Sequence, residues 1–391
     1  MKKINWPLVI LSYFSLFCVG IADNGRSAIY PNILSKLNLS FDQGSFLFSL
    51  SSLTGLLSTL TAKYWLPKFG IINPQRVFSL LLFCATTIFG LSISYFPSYH
   101  LALFGCSLIG ITMGGLSITM NLSIDQGVPE ENRRKFLSGL HSLYGLSSGF
   151  APVILLFLSS WGLGFEGLYF VIALFPVILF LISLKVKKFN QAQLLSSEEF
   201  LTAEDLTTSK GPRLSKTVII GSVLSLYVCA EVLLSSRFII ITNALGENDS
   251  NAAQSYLSSF FILLTFGRII FAFIRTSKSN FKMLMTSIIS SFGLYILAIK
   301  TKQPLFLSFI GLSMSIYFPC AMDFIAQSFK GNLQKNLPTI MNIVTIKLIL
   351  MHYIAGTFEE NFGGISTLYL SISFLFLAMI ILMINRKQQS S

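Results

Sequence analysis

"CVGIADNGRSAIYPNIL", residues 18–34, follows directly on the apolar run "WPLVILSYFSLF" and sets Asp23, Asn24 and Arg26 within one helical turn. The apolar pattern has not ended when they appear. Read with its flanks, the stretch is a helix that crosses a bilayer, because about 20 apolar residues span a hydrocarbon core of about 30 Å. An ionised group at that depth costs about 2.5–3.5 kcal/mol or more on insertion scales, so it persists where it is paired or faces water. The decisive question is what an acid, an amide and a guanidinium do there.

The rest of the chain repeats the apolar pattern. Of 391 residues, 53% are hydrophobic and only 11% are charged, with a mean hydropathy of +0.71. Soluble domains carry about 25% charged residues, so the composition marks an all-α integral membrane protein. Spans are expected near residues 7–35, 43–66, 75–96, 98–123, 134–159 and 164–184, then near 216–244, 252–274, 281–300, 304–327, 337–357 and 364–385. Short alternating segments of the kind that build outer-membrane barrels are not seen.

Lysine and arginine placement tests that count, since basic loops stay on the cytoplasmic side. With the N-terminus inside, 21 of the 28 Lys and Arg fall on inner segments and only Lys36, Lys300 and Lys302 on outer ones; the others lie within spans. Adding or dropping one span scrambles the sorting. Twelve spans with both termini cytoplasmic therefore account for the net charge of +12, and no nucleic-acid partner is needed to explain it. The surroundings expected are the lipid bilayer of a bacterial inner membrane, with the protein as a monomer.

Residues 186–215, "VKKFNQAQLLSSEEFLTAEDLTTSKGPRLS", form the one long polar segment and read as a cytoplasmic linker. They divide the chain into a six-span unit over 1–185 and another over 216–391. The halves echo each other. "GIAD" ends in Asp23 and "VCAE" in Glu231, each about 15 residues into its span, and Gly55 to Lys63 repeats as Gly267 to Arg275. Internal repeats of this kind mark secondary transporters. The basic start Lys2-Lys3 before an apolar run resembles a secretory signal, but Phe17 and Ile21 stand where small residues would be needed, so the segment is expected to remain as the first span.

These features resemble the major facilitator superfamily over the whole chain. "GLLSTLTAKYWLPKFG" (55–70) occupies the place of its loop motif between spans 2 and 3, with the basic residues but without the acid. "GIADNGRSAIYPNI", "LHSLYGLSSGFAP" (140–152), "LYVCAE" (226–231), "FGRIIFAFIR" (266–275) and "GLSMSIYFP" (311–319) are similar to the fucose–galactose–hexose symporter branch. Ser117 stands where that branch often has an acid before its Asn, here Asn121, and Ser27 replaces a Gly. The resemblance implies two six-helix bundles, alternating access and a proton-coupled, hexose-like solute. It also implies that spans 3, 6, 9 and 12 lie outside, and these spans carry no acid, Arg, Lys or His in their apolar cores.

The interior polar residues of the other spans are the candidates for chemistry. Asp23 and Arg26, three residues apart, share a helix face. One reading makes them a mutually neutralising pair that holds span 1. The other makes Asp23 a proton or solute site with Arg26 modulating it. Glu231 has no basic residue three or four positions away, and such a carboxylate suits a group that loads and releases protons. His141 is a further candidate for proton relay.

Asn24, Arg26, Asn121, Tyr144, Tyr227, Asn342 and Lys347 are candidates to bind solute. Lys347 is also a candidate to hold Glu231 or Asp23. Asp125 and Asp323 fall at the cytoplasmic ends of spans 4 and 10, with Arg133, Arg134 and Arg268 as gate partners. Arg237, near the outer end of span 7, reads as a snorkelling residue.

Enzymatic signatures are missing: no HExxH, no Cys/His metal cluster, no nucleotide loop. The five cysteines lie inside apolar runs without metal or disulfide spacing. The expectation is a non-enzyme with neither metal nor cofactor, which moves a small polar solute, with protons, by alternating access. The alternatives are an exporter of amphipathic or anionic compounds, to which Arg26 and Lys347 are suited, and a solute sensor that no longer transports.

Overall fold

A computed structural model describes residues 4–186, 212–273, 279–329 and 333–390. Among them every regular element is helical. Eleven helices are long and apolar enough to cross a membrane, and the bent pair Phe41–Leu60 and Ala62–Phe69, kinked by 55°, makes a twelfth. The chain divides into two compact units, Met1–Glu198 and Glu199–Ser391. Most of the expected linker lies outside the described residues.

Spans 1 to 6 are Trp6–Ala28 with Tyr30–Leu37, the bent pair, Ile72–Ser94, Tyr99–Gly127, Glu130–Ser160 and Leu168–Lys185. Spans 7 to 12 are Pro212–Ser236 with Phe238–Ala244, Ser250–Phe273, Asn280–Thr301, Leu305–Met314 with Tyr317–Ser328, Leu333–Phe362 and Ser366–Ser390. Several run past the hydropathy limits. Span 4 continues to Gly127 and span 11 from Leu333 to Phe362 because backbone hydrogen bonding does not stop where the apolar pattern does. Local signals set some ends: Asn5 and Ser98 cap spans 1 and 4, and Ser40 with Gln43 forms a capping box at span 2.

Each unit repeats one packing scheme. In the first, span 1 lies against spans 4, 5 and 6, span 4 against 2 and 3, and span 3 against 6. In the second, span 7 lies against 10, 11 and 12, span 10 against 8 and 9, and span 9 against 12. Small residues permit the closest crossings. A Cβ on Gly110 would lie 2.1 Å from the Ser51 carbonyl oxygen, and one on Gly311 would lie 2.2 Å from that of Phe260. A Cβ on Gly55 would lie 3.2 Å from the Gly110 carbonyl oxygen of span 4, and one on Gly267 would lie 2.2 Å from the Ser315 hydroxyl between the two parts of span 10. Backbone-to-backbone contact of this kind is how membrane helices gain dispersion energy where lipid leaves little hydrophobic drive.

The two first spans also break at one register. Span 1 is interrupted at Ile29 (φ −114°, ψ 17°) and span 7 at Arg237 (φ −111°, ψ 9°). Asp23 and Glu231 each precede the break by six residues. In span 1 the break has a local cause, because Pro31 lacks the N–H that would bond the carbonyl of residue 27. Span 7 has no proline there.

Candidate functional site

In the first unit the site forms where span 1 crosses span 5. Gly20 admits the crossing: a Cβ there would sit 2.0 Å from Ser147 Oγ. One Asp23 oxygen meets the Arg26 guanidinium in an ion pair, and the other accepts from the Tyr144 hydroxyl at 2.9 Å. Asn24 donates to Ser148 Oγ at 2.8 Å, and its amide nitrogen lies 3.2 Å from Tyr144 Oη. Asp23, Asn24 and Tyr144 thus form one network with Ser148, which sequence reasoning missed. No periodic signal separates Ser148 from the other hydroxyls of "LSSG".

Arg26 is buried to 2% exposure, whereas Asp23 keeps 25%. The guanidinium rests over the Phe48 ring at 4.9 Å and lies within 3.5 Å of the Leu47 carbonyl, both on span 2. It therefore spends its charge on Asp23 and its planar face on an aromatic ring, an arrangement that favours Arg over Lys. Asp23 is the accessible partner of the pair.

In the second unit Glu231 is not without a partner. Arg268 of span 8 donates to it at 3.1 Å, and its guanidinium lies 5.9 Å from the Phe318 ring of span 10. This corrects two expectations: the cation comes from another helix, which helical spacing does not test, and Arg268 is engaged here rather than at the gate with Asp323. The partner of Glu231 is not Lys347 either. Lys347 is half-buried on span 11 and forms no ion pair among the described residues.

One turn before Glu231, Tyr227 stacks on Tyr317 with centroids 3.5 Å apart and planes 5° from parallel. Each hydroxyl donates to the other's neighbourhood, Tyr227 to the Met314 carbonyl at 2.6 Å and Tyr317 to that of Val223 at 3.3 Å. The pair is fully buried, so Tyr227 clamps span 10 at its break rather than standing open to a solute.

Other candidates are dispersed. His141 is exposed on span 5. Asn121 is half-buried and donates to the Ser117 carbonyl of its own helix at 2.7 Å. Asn342 is half-buried on span 11. Asp125 pairs with Arg133 at 2.8 Å at the end of span 4. The Arg134 side chain lies outside the described residues. Asp323 accepts from Asn280 and Gln327 at 2.7 and 2.8 Å.

Arg237 does not snorkel. It is wholly buried and pairs with the equally buried Glu359 of span 11 at 3.0 Å. A partner 122 residues away leaves no trace in local spacing. Sequence reading also passed over Gln75 of span 3, buried and donating to Ser15 of span 1 at 2.7 Å. No group of three or more His, Cys, Asp or Glu among the described residues is arranged to hold a metal ion.

Twelve spans in two units of one design, each holding a carboxylate–guanidinium pair by its first helix, define a multi-pass membrane protein of the transporter class. The chain belongs to the Major Facilitator Superfamily, whose family model matches residues 12–345. It is similar in structure to a D-xylose–proton symporter, with a TM-score of 0.75, 13% identity and 97% of each chain covered. It is also similar to the nucleoside transporter NupG, with a TM-score of 0.73, 12% identity and 97% and 99% covered. The fucose:proton symporter FucP of E. coli gives a TM-score of 0.65, 16% identity and 96% and 97% covered. At these identities the likeness is one of fold. No curated protein matches the chain.

Proposed function

We propose that this transporter moves a small polar, sugar-like solute together with protons by alternating access. One observation carries the reading: two carboxylates at the same register of spans 1 and 7, each partly accessible and each held by one guanidinium. A carboxylate at bilayer depth whose charge is balanced by an adjacent cation can take up a proton when the pair loosens, and its charge then changes what the site holds. Asp23 also has Tyr144 and Asn24 beside it, donors of the kind that bind hydroxylated solutes. The sugar- and nucleoside-carrying neighbours support a polar solute.

The test is uptake into proteoliposomes under an inward proton gradient, with labelled pentoses, hexoses and nucleosides. Asp23→Asn is expected to abolish accumulation of whichever solute the native protein concentrates, with unchanged elution on size exclusion. Undiminished accumulation by that variant would reduce Asp23 to a structural role. We also propose, from the basic residues, that both termini face the cytoplasm of a bacterial cell. Green fluorescent protein fused after Ser391 should then fluoresce in intact cells; a dark, full-length fusion would reverse the orientation.

A further inference from the structure

The two accessible carboxylate–guanidinium pairs differ in what they leave unused. Arg26 engages every side-chain nitrogen: Nε with the Asp23 carbonyl, Nη1 with the Leu47 carbonyl and Cys106 Sγ, and Nη2 with the Asp23 carboxylate. Both Asp23 carboxylate oxygens are taken as well, one by Arg26 and one by Tyr144. That pair is closed. Arg268 and Glu231 meet at one point only, Nη2 on Oε1 at 3.1 Å. Among the described residues Arg268 Nη1 and Glu231 Oε2 make no hydrogen bond, and Arg268 Nε is buried without one.

Arginine and a carboxylate close best as a two-pronged fork, and here the fork is half made. Nε is the one buried atom of the pair that lacks a partner, so the unbonded Nη1 and Oε2 are open to the surroundings. The side chains keep 10% and 16% exposure, whereas the Arg237–Glu359 pair is closed off at 0%. Phe318, partly exposed on span 10, sets its ring 5.9 Å from the Arg268 guanidinium. An apolar wall beside a few polar atoms is the usual make-up of a small-molecule site.

The open atoms decide what fits. Nη1 offers a donor and Oε2 an acceptor, and the pair carries no net charge. An anion is drawn to the first and repelled by the second; a cation meets the reverse. A hydroxyl satisfies both with one oxygen, accepting from the N–H and donating to the carboxylate. We propose that Glu231 and Arg268 form a hydroxyl-binding site, that Arg268 sets its specificity, and that the solute is a neutral polyhydroxylated molecule. This rests on the transport reading above, which supplies the polar solute, and it takes no group from the first unit. Glu231→Gln keeps an accepting oxygen there, so it weakens the site without removing it.

The probes are D-glucose, D-xylose, the monodeoxy analogues of each, and D-gluconate, titrated calorimetrically on the full chain in detergent. An aldose is expected to bind and D-gluconate is not. Loss of one particular hydroxyl should weaken binding to the native protein about tenfold. Arg268→Lys keeps a charge opposite Glu231 without the planar set of donors. It should bind the parent aldose about tenfold more weakly and no longer distinguish it from that deoxy analogue. A merely structural role would lower the melting temperature of the sugar-free protein and leave the discrimination intact. Aldoses that do not bind, binding of D-gluconate alone, or discrimination that survives Arg268→Lys overturns the proposal.

A second measurement needs no variant. 2,3-Butanedione modifies guanidinium groups, and its sites can be read peptide by peptide by mass spectrometry. Arg268 should react faster than Arg26, which is 2% exposed. The aldose at about ten times its Kd should slow that reaction about tenfold. Equal reaction of the two arginines, or no protection of Arg268, overturns the proposal. Gradient-driven uptake of an aldose that ignores Arg268→Lys and every hydroxyl deletion would leave the transport reading standing and this one refuted. Hydroxyl discrimination that depends on Arg268, with no flux of any probe, would do the reverse.

Discussion

The two units solve one problem, a carboxylate at bilayer depth, in two ways. In the first, Asp23 and Arg26 lie on one helix three residues apart, so their pairing is built into the backbone. In the second, Glu231 takes its cation from span 8, so the pairing depends on how spans 7 and 8 pack. A helical movement that leaves the first pair intact can loosen the second. The same contrast recurs at the breaks. Span 1 stops at Ile29 beside Pro31, whereas span 7 stops at Arg237, which is tied to Glu359 across to span 11. Span 4 is continuous and its counterpart, span 10, is broken between Met314 and Tyr317. The repeated design has a locally determined copy and a copy determined by its neighbours.

The largest expected effect separates the two acids. If the cross-helix pair is the one that opens, Glu231→Gln fixes the loaded state: gradient-driven uptake falls to background, while solute counterflow continues at a measurable rate. Asp23→Asn should lose both, because its network also includes Tyr144 and Asn24. Both rates can be read in proteoliposomes with the solute that the native protein carries. A normal response of Glu231→Gln to the proton gradient would break the comparison.

The next effect is on stability. Removing one member of a fully buried ion pair strands the other, at a cost of about 3–5 kcal/mol. Glu359→Gln is expected to show a loss of that size in unfolding titrations in mixed micelles, and the double variant Arg237→Met/Glu359→Leu should recover most of it. Ile29→Val at the equivalent break should cost only about 0.5–1.5 kcal/mol. A loss for Glu359→Gln no larger than that of Ile29→Val would mean that the second break is as local as the first.

The smallest effect tests what the units share. Gly110→Ala and Gly311→Ala each drive a methyl into a facing backbone carbonyl, at 2.1 and 2.2 Å, and each should lower stability by about 1–3 kcal/mol. Gly293→Ala, with nothing within 4 Å, should stabilise by up to about 1 kcal/mol. A tolerated alanine at only one of the first two sites would show that the close crossings of the two units are not equivalent.

Span number, the division into two halves and the matching depth of Asp23 and Glu231 were legible from the residues alone. Run length, lysine and arginine placement and i, i+3 spacing are properties of the chain in one dimension, and a bilayer of fixed thickness converts them into structure. The Asp23–Arg26 pair was legible for the same reason. Tertiary packing decided the rest. Arg268 meets Glu231 from 37 positions away, and Glu359 meets Arg237 from 122. Tyr227 turned from a solute candidate into a clamp on Tyr317. A buried charge must find a counter-charge wherever the fold brings one within about 4 Å, and that distance is set by helix crossings such as those at Gly110 and Gly311. Sequence spacing contains no measure of it.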